Sequence, residues 1–149
     1  MGTVCYLDVD GVLNTDDDFR RLRSAARGET SMRPLNIELI ANYIGIVAAT
    51  GCKTIITSHW RFQQAPMAKL LEANVPYDGM VEAVTGPRGG LIHDHMKTLP
   101  KGTRVAILDD KFPTLLRQSR NVKLFLLDQR EGLTARHAEK ITNYLNGEK

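Results

Sequence analysis

Residues 8–11 read Asp-Val-Asp-Gly and directly follow an apolar run, so two carboxylates stand one residue apart at the end of a candidate strand. This spacing can place one carboxylate and a backbone carbonyl against a hard cation while the second acid stays free for proton transfer. Aspartate before glycine is also common in simple turns. An EF-hand loop counted from Asp8 would need glycine at the sixth position and glutamate at the twelfth. Leu13 and Phe19 stand there, which excludes a calcium site of that kind.

Polar side chains also follow two other apolar runs of the chain. Thr57 and Ser58 follow the second run, and Asp109 and Asp110 follow the third. Because ligands of a parallel sheet bind at the carboxyl ends of its strands, we expect these groups to meet Asp8 and Asp10 at one edge. Such a concentration of negative charge is unfavourable without a bound divalent cation. Ligands that are all oxygen favour Mg²⁺, with Mn²⁺ as a substitute.

Apolar runs alternate with amphipathic helical stretches, which is typical of an α/β protein with a mostly parallel sheet and helices on both faces. The predicted strands lie at residues 4–9, 53–57, 104–108 and 122–127. Predicted helices run from residue 35 to Gly51, over 62–73, 91–99 and 112–118, and over 134–145 with Thr134 as the N-cap.

The length of 149 residues fits a single domain. The apolar runs are much shorter than the roughly 20 residues of a membrane span, so we expect no membrane partner and a cytoplasmic location. Residues 14–34 are polar and basic and are predicted to form a flap over the first strand. The net charge is +3, and arginines concentrate in this flap, which suggests a polyanionic substrate. The sequence leaves the oligomeric state open.

Three segments resemble motifs one, two and four of the haloacid dehalogenase (HAD) superfamily of phosphotransferases: DVDGVLN, IITSHW and VAILDDK. The stretches TSHWR and EGLT resemble a branch described as the HAD domain of the Swiss Army Knife RNA repair proteins. The resemblance implies a three-layer, Rossmann-like HAD fold. Neither residues 14–34 nor residues 62–86 leave room for the large cap domain that some members carry.

The resemblance also implies a role for each acid. Asp8 would be the nucleophile that accepts the phosphoryl group, and Asp10 would protonate the leaving oxygen and later activate water. The implied metal ligands are Asp8, the carbonyl of Asp10, Asp109 and Asp110, with Asp110 preferred to Asp109 for direct contact. Thr57, or Ser58 in its place, would donate a hydroxyl to a phosphoryl oxygen.

The HAD superfamily also uses a cation, usually lysine, beside the nucleophile. Arg88 is the preferred candidate because the start of the third predicted helix faces the carboxyl ends of the strands, and Lys97 is the alternative. Trp60 could either stack on a base or anchor the core. The residues predicted to contact substrate are Ser58, His59, Arg61, Arg20, Arg23 and Lys97.

Taken together, these features predict a metal-dependent phosphomonoester hydrolase that acts through an aspartyl phosphate. Without a cap the site should be open, which favours a phosphate at an RNA or DNA end or on a nucleotide. Another small phosphomonoester ranks second and a phosphoprotein third. A HAD-like module that binds nucleic acid or a partner without catalysis is the alternative from a different class.

Overall fold

The computed structural model describes residues 2–26 and 33–148. In these two ranges, five parallel strands form one sheet in the order β3-β2-β1-β4-β5. The strands are β1 (Thr3–Leu7), β2 (Lys53–Ile56), β3 (Gly79–Met80), β4 (Arg104–Asp109) and β5 (Val122–Leu126). The predicted parallel α/β architecture is confirmed. The sequence did not predict β3, whose two residues are too few to show a strand pattern.

Within the described residues, five helices surround this sheet: α1 (Asp16–Ala26), α2 (Ile37–Thr50), α3 (Gln64–Glu72), α4 (Arg88–Met96) and α5 (Ala135–Leu145). A single 3₁₀ turn at His59–Phe62 joins β2 to α3. None of the helices within the described residues has the length and apolar character that crossing a membrane requires.

Alternate residues of β1 face two separate cores, so helices cover both faces of the sheet. Cys5 and Leu7 pack in one core with Tyr43 of α2. Tyr6 packs in the other core with Ile92 of α4. Because alternate side chains of β1 are buried on opposite faces, β1 lies in the middle layer of a three-layer structure. The chain therefore leaves β1 at the carboxyl edge of the sheet.

Three helix ends follow from local sequence, and two of them, at Gly51 and Thr134, were predicted. The Asn36 side chain accepts hydrogen bonds from the backbone N–H groups of Glu38 and Leu39, which caps the start of α2. The same helix ends at Gly51, whose φ of 69° lies in the left-handed region. Thr134 caps α5 by accepting from the backbone N–H of His137.

The flap predicted over residues 14–34 begins with a helix that the sequence did not predict, because Asp16–Ala26 form α1. The reason is a capping box that the sequence reading missed. The Thr15 hydroxyl accepts from the backbone N–H of Asp18 at 3.2 Å, and the Asp18 carboxylate accepts from the Thr15 backbone N–H at 2.8 Å. Residues 27–32, in the second half of the predicted flap, lie outside the described residues.

The predicted short helix over residues 112–118 is also wrong. This segment is a turn in which the Leu116 backbone N–H donates to the carbonyl of Pro113 at 3.0 Å. Leu115 has a φ of 68°, which an α-helix cannot accommodate. The apolar spacing that suggested a helix instead places Leu116 in the core beside α4.

Candidate active site

Three carboxylates meet at the edge of the sheet formed by the carboxyl ends of β1 and β4. Leu7 pairs with Leu108 in register, and the backbone N–H of Asp8 donates to the Leu108 carbonyl at 3.0 Å. One carboxylate oxygen each from Asp8, Asp109 and Asp110 lies within 4.8 Å of the others. The side chains of Asp8 and Asp109 are buried. The register of two neighbouring strands therefore creates the acidic cluster.

Gly11 makes room for the third acid of this cluster. Its φ is 79°, and a Cβ at this position would lie 2.5 Å from Oδ2 of Asp110. An L-residue would therefore be strained in its backbone and would also press on the Asp110 carboxylate. The glycine that follows the two acids of the first motif thus has a steric reason to be there.

The electrostatics of the cluster favour neutralisation. Burial and the nearby Asp109 carboxylate raise the pKa of Asp8 well above its usual value. Burial and Asp109 also raise the pKa of Asp110. The donor set is made only of carboxylate oxygens, which fits a hard divalent cation such as Mg²⁺. Asp8, Asp109 and Asp110 are therefore able to hold one.

Arg88 supplies a cation to the same cluster. Its Nη1 lies 2.9 Å from Oδ2 of Asp109 and 3.5 Å from Oδ2 of Asp8. Burial opposes the charge of Arg88, but Asp8 and Asp109 raise the pKa of the guanidinium, which stays charged. Lys97, the alternative in the sequence, lies at the far end of α4, where its exposed ammonium pairs with Asp94 at 3.3 Å.

Close backbone packing fixes the start of α4 and hence Arg88. The helix begins at Arg88, three residues before the predicted start. The backbone N–H of Gly89 donates to the Thr114 carbonyl at 2.8 Å. A Cβ on Gly89 would overlap the backbone nitrogen of Leu116 and the carbonyl oxygen of Thr114. Only glycine allows this helix start to approach the loop after β4 so closely.

The carboxylate of Asp10 has different surroundings from the three clustered acids. Its Oδ1 accepts from the indole Nε1 of Trp60 at 3.0 Å and from Nδ2 of Asn14 at 3.1 Å. Its Oδ2 pairs with Nη1 of Arg33 at 3.3 Å. The implied metal contact of Asp10 through its carbonyl stays a prediction. Sequence spacing gave no signal for the Trp60 and Arg33 contacts.

The end of β2 places its hydroxyl residues beside Asp8. The backbone N–H of Thr57 donates to the carbonyl of Leu7 at 2.9 Å, and both Thr57 and Ser58 are buried. The Ser58 hydroxyl accepts from the backbone N–H of Trp60 at 3.2 Å and so caps the 3₁₀ turn. His59 is exposed and borders the cavity above the acids.

The side chains of Trp60 and Arg61 are both buried. Trp60 is 1% exposed, so it anchors the core and cannot serve as a stacking platform for a base. The Arg61 guanidinium donates to four backbone carbonyls, those of Thr57, Ser58, Val81 and Ala83. This network fixes the loop after β2, a role that the sequence did not predict. Contact between Arg61 and a substrate stays a prediction.

A cavity of about 350 Å³ lies over the acidic cluster. The loop after β4 forms one wall with four residues that the sequence analysis did not single out, although they directly follow the two acids of the third strand. The lining residues are Asp8, Asp10, Ser58, His59, Arg88, Asp109, Asp110, Lys111, Phe112, Pro113 and Thr114.

The two arginines predicted to bind substrate lie on α1. Arg20 is exposed, with its Nη2 3.7 Å from Asp17, and the neighbouring Arg21 pairs with the same carboxylate at 2.8 Å. Arg23 is exposed in the last turn of the helix. Neither Arg20 nor Arg23 is among the residues that line the cavity. Their contact with a substrate stays a prediction.

A comparison with protein families adds to this geometry. The model of the family described as the HAD domain in Swiss Army Knife RNA repair proteins matches residues 4–138. This match spans all three motifs, the sheet and the loop after β4. Comparisons with curated proteins and with solved structures gave no match.

Proposed function

Because the chain belongs to the family of HAD domains in Swiss Army Knife RNA repair proteins, we propose that it is a metal-dependent phosphomonoester hydrolase. The observation that carries the proposal is the meeting of Asp8, Asp109 and Asp110 around one point beside the Arg88 guanidinium. A purely structural arrangement has no use for three crowded acids that share one cation, because their mutual repulsion destabilises the fold.

In the first step, a carboxylate oxygen of Asp8 attacks phosphorus and forms an aspartyl phosphate. The bond from phosphorus to the ester oxygen breaks, and Asp10 gives a proton to that leaving oxygen. Arg88 favours the ionised, nucleophilic form of Asp8 and can donate to a phosphoryl oxygen. Mg²⁺ held by the three clustered acids supplies positive charge that offsets the negative charge of the phosphoryl group.

In the second step, Asp10 takes a proton from a water molecule, whose oxygen attacks phosphorus. The bond from Asp8 to phosphorus breaks, and inorganic phosphate is released with Asp8 regenerated as a carboxylate. The backbone of Thr57 is fixed beside Leu7 by a hydrogen bond. The hydroxyl of Thr57 is the donor proposed for a phosphoryl oxygen. Ser58 is the alternative donor, because its hydroxyl accepts from the backbone N–H of Trp60, keeps its own proton free to donate, and lines the cavity.

For the substrate, we place phosphates at nucleic acid ends or on nucleotides first. The cavity opens between the loop after β4 and the turn after β2, and Lys111 on its wall supplies positive charge. An open entrance suits a bulky substrate, and the charge of Lys111 beside it favours a polyanion. A small phosphomonoester of another kind ranks second and a phosphoprotein third.

A catalytically weak module that binds nucleic acid or a partner is the alternative. A binding module needs no acid that transfers protons, yet Asp10 is held in place by Trp60 and Asn14. That arrangement favours the hydrolase.

Phosphate release from an aryl phosphate and from oligonucleotides with a 3′- or 5′-phosphate tests the proposal. We expect release that needs Mg²⁺, that a chelator stops and that Asp8→Asn abolishes. Lys101→Gln, a change at an exposed turn, is the control and should keep full activity. Tight RNA binding that is indifferent to Asp8→Asn, together with no hydrolysis of any ester, would support the binding module instead.

A further inference from the structure

The two oxygens of the Asp10 carboxylate have partners of different kinds. Two neutral donors, Trp60 Nε1 and Asn14 Nδ2, hold Oδ1 at 3.0 Å and 3.1 Å. Oδ2 pairs with a cation, Nη1 of Arg33, at 3.3 Å. The neutral donors fix the plane of the carboxylate, so Oδ2 is the oxygen left to exchange a proton with a leaving group.

The backbone around Arg33 is anchored while its guanidinium is not. The ammonium of Lys69 donates to the carbonyl of Arg33, and Nδ2 of Asn14 donates to the carbonyl of Pro34 at 3.0 Å. The Arg33 side chain is 34% exposed, and within the described residues Asp10 is its single ionic partner. A half-exposed pair joined by one long contact is weak and exchanges readily.

The pairing with Arg33 cannot persist while Asp10 does its proposed work. A guanidinium stays protonated and accepts no proton, so it cannot relay one from Oδ2 to a leaving oxygen. Its Nη1 contacts the same oxygen, so it competes there with the leaving oxygen. A second anion on a bound substrate would draw the guanidinium away from Oδ2 and free that oxygen for proton transfer.

We propose that Arg33 is a specificity residue that moves from Oδ2 of Asp10 to a second phosphate on the substrate, next to the ester that is cleaved. This inference rests on the proposed function. The ligand it selects is a phosphomonoester whose leaving group carries another phosphate nearby. Two sources share this chemistry: a nucleic acid strand, through its terminal phosphodiester, and a free nucleoside bisphosphate.

Arg33 suits this role better than the arginines of α1. Arg20 and Arg21 already share the Asp17 carboxylate. Arg33 touches the acid that handles the leaving oxygen, so its guanidinium starts within a short movement of the leaving group.

The test compares two dinucleotides that end in the same phosphate, one with a phosphodiester linkage and one with an uncharged methylphosphonate linkage. The wild-type protein should prefer the charged one in kcat/KM by about tenfold or more, the effect of one charge-assisted hydrogen bond. In Arg33→Gln the preference should fall to about twofold or less, while Arg33→Lys should keep part of it. Arg120→Gln, an exposed arginine before β5, is the matched control and should keep all of it.

Equal rates on the two dinucleotides in the wild-type protein, or an unchanged preference in Arg33→Gln, would overturn the inference and leave the proposed function standing. If neither dinucleotide nor an aryl phosphate is hydrolysed, both fall. A nucleoside bisphosphate compared with its monophosphate separates the two sources. If Arg33→Gln lowers kcat/KM only for the dinucleotide, the ligand is a nucleic acid strand. If it lowers kcat/KM only for the bisphosphate, the ligand is a free nucleotide.

Discussion

The indole Nε1 of Trp60 donates a hydrogen bond to Oδ1 of Asp10 at 3.0 Å, across 50 positions of the chain. Trp60 is 1% exposed, so the core holds the indole in a single place. A donor held this rigidly restricts the rotation of the Asp10 carboxylate. Trp60 is therefore a positioning residue for the acid that is proposed to protonate the leaving oxygen.

Trp60→Phe should lower kcat more for a substrate whose leaving group must be protonated than for one whose leaving group departs without a proton. For a nucleoside phosphate, whose alcohol leaves poorly, we expect kcat to fall about tenfold, a part of what general acid catalysis contributes. For an aryl phosphate with an acidic phenol, the fall should be about twofold or less, because that group leaves without a proton. Steady-state kinetics on both esters measures the difference.

The control for Trp60→Phe is Tyr43→Phe, which also removes one polar group from a buried aromatic residue. The Tyr43 hydroxyl bonds to Thr54 at 2.5 Å, in the core rather than at the site. This control should lower the Tm without separating the two esters. A loss of kcat in Trp60→Phe that is equal on both esters would show that the indole only stabilises the fold.

Arg88→Gln should lower kcat by roughly 100-fold or more, as expected when a charged group that stabilises the transition state is removed. The reason is that Arg88 is within 3.5 Å of Asp8 and 2.9 Å of Asp109. Lys97→Gln should change kcat by about twofold or less, since its ammonium pairs with Asp94 on the surface. The opposite order of effects would assign the cation role to Lys97.

The sequence predicted the four longer strands of the sheet and the cluster of Asp8, Asp109 and Asp110 because these depend on local pattern. Apolar runs that end in Asp8 and Asp109 specify parallel strands and the edge at which their carboxylates meet. Arg88 could be placed for the same reason, since a helix that follows a strand starts at that edge.

The contacts that complete the site could not be predicted in this way. The bond from Trp60 to Asp10, the approach of Gly89 to Leu116 and the Arg33 pair join segments that are far apart in the chain. Their formation depends on tertiary packing, which hydrophobic spacing does not encode. Packing also overrode the helical pattern at Leu115, where a positive φ turns the chain back toward α4.

The stability of the metal-free protein should fall as the pH rises. Burial raises the folded-state pKa of Asp8 above the usual aspartate value of 3.8. A group whose folded pKa is raised contributes stability below its unfolded pKa and loses that contribution as the pH rises through the folded value. In chelator, the Tm should therefore decrease as the pH rises from 3.8 through the raised pKa of Asp8. Asp8→Asn removes the titrating group and should make this decrease smaller.

Mg²⁺ should reverse this loss, and more strongly at high pH because its ligands bind it as carboxylates. At a free concentration of about 100 times its Kd, a ligand that binds only the folded state adds about 2.7 kcal/mol. Thermal unfolding with and without Mg²⁺ measures the effect. Asp110→Asn should weaken it, whereas Asp94→Asn, at an exposed position on α4, should not. A Tm that is indifferent to Mg²⁺ at every pH would contradict a site made of these acids.

Gly89→Ala should destabilise the protein and impair catalysis together. The added Cβ would overlap the Leu116 nitrogen and the Thr114 carbonyl oxygen, which are backbone atoms that cannot rotate away. Overpacking of this kind costs typically about 1–3 kcal/mol. Any shift that relieves the overlap moves the start of α4, and with it Arg88, away from Asp109.

Gly90→Ala is the matched control for Gly89→Ala, because a Cβ there would meet no atom within 4 Å. Alanine is the better helix former by about 1 kcal/mol, so this neighbour should leave stability unchanged or raise it. Urea unfolding and kcat on an aryl phosphate distinguish the two variants. If Gly89→Ala were as stable and active as Gly90→Ala, the close approach of α4 to the loop after β4 would not be what holds Arg88 at the carboxylates.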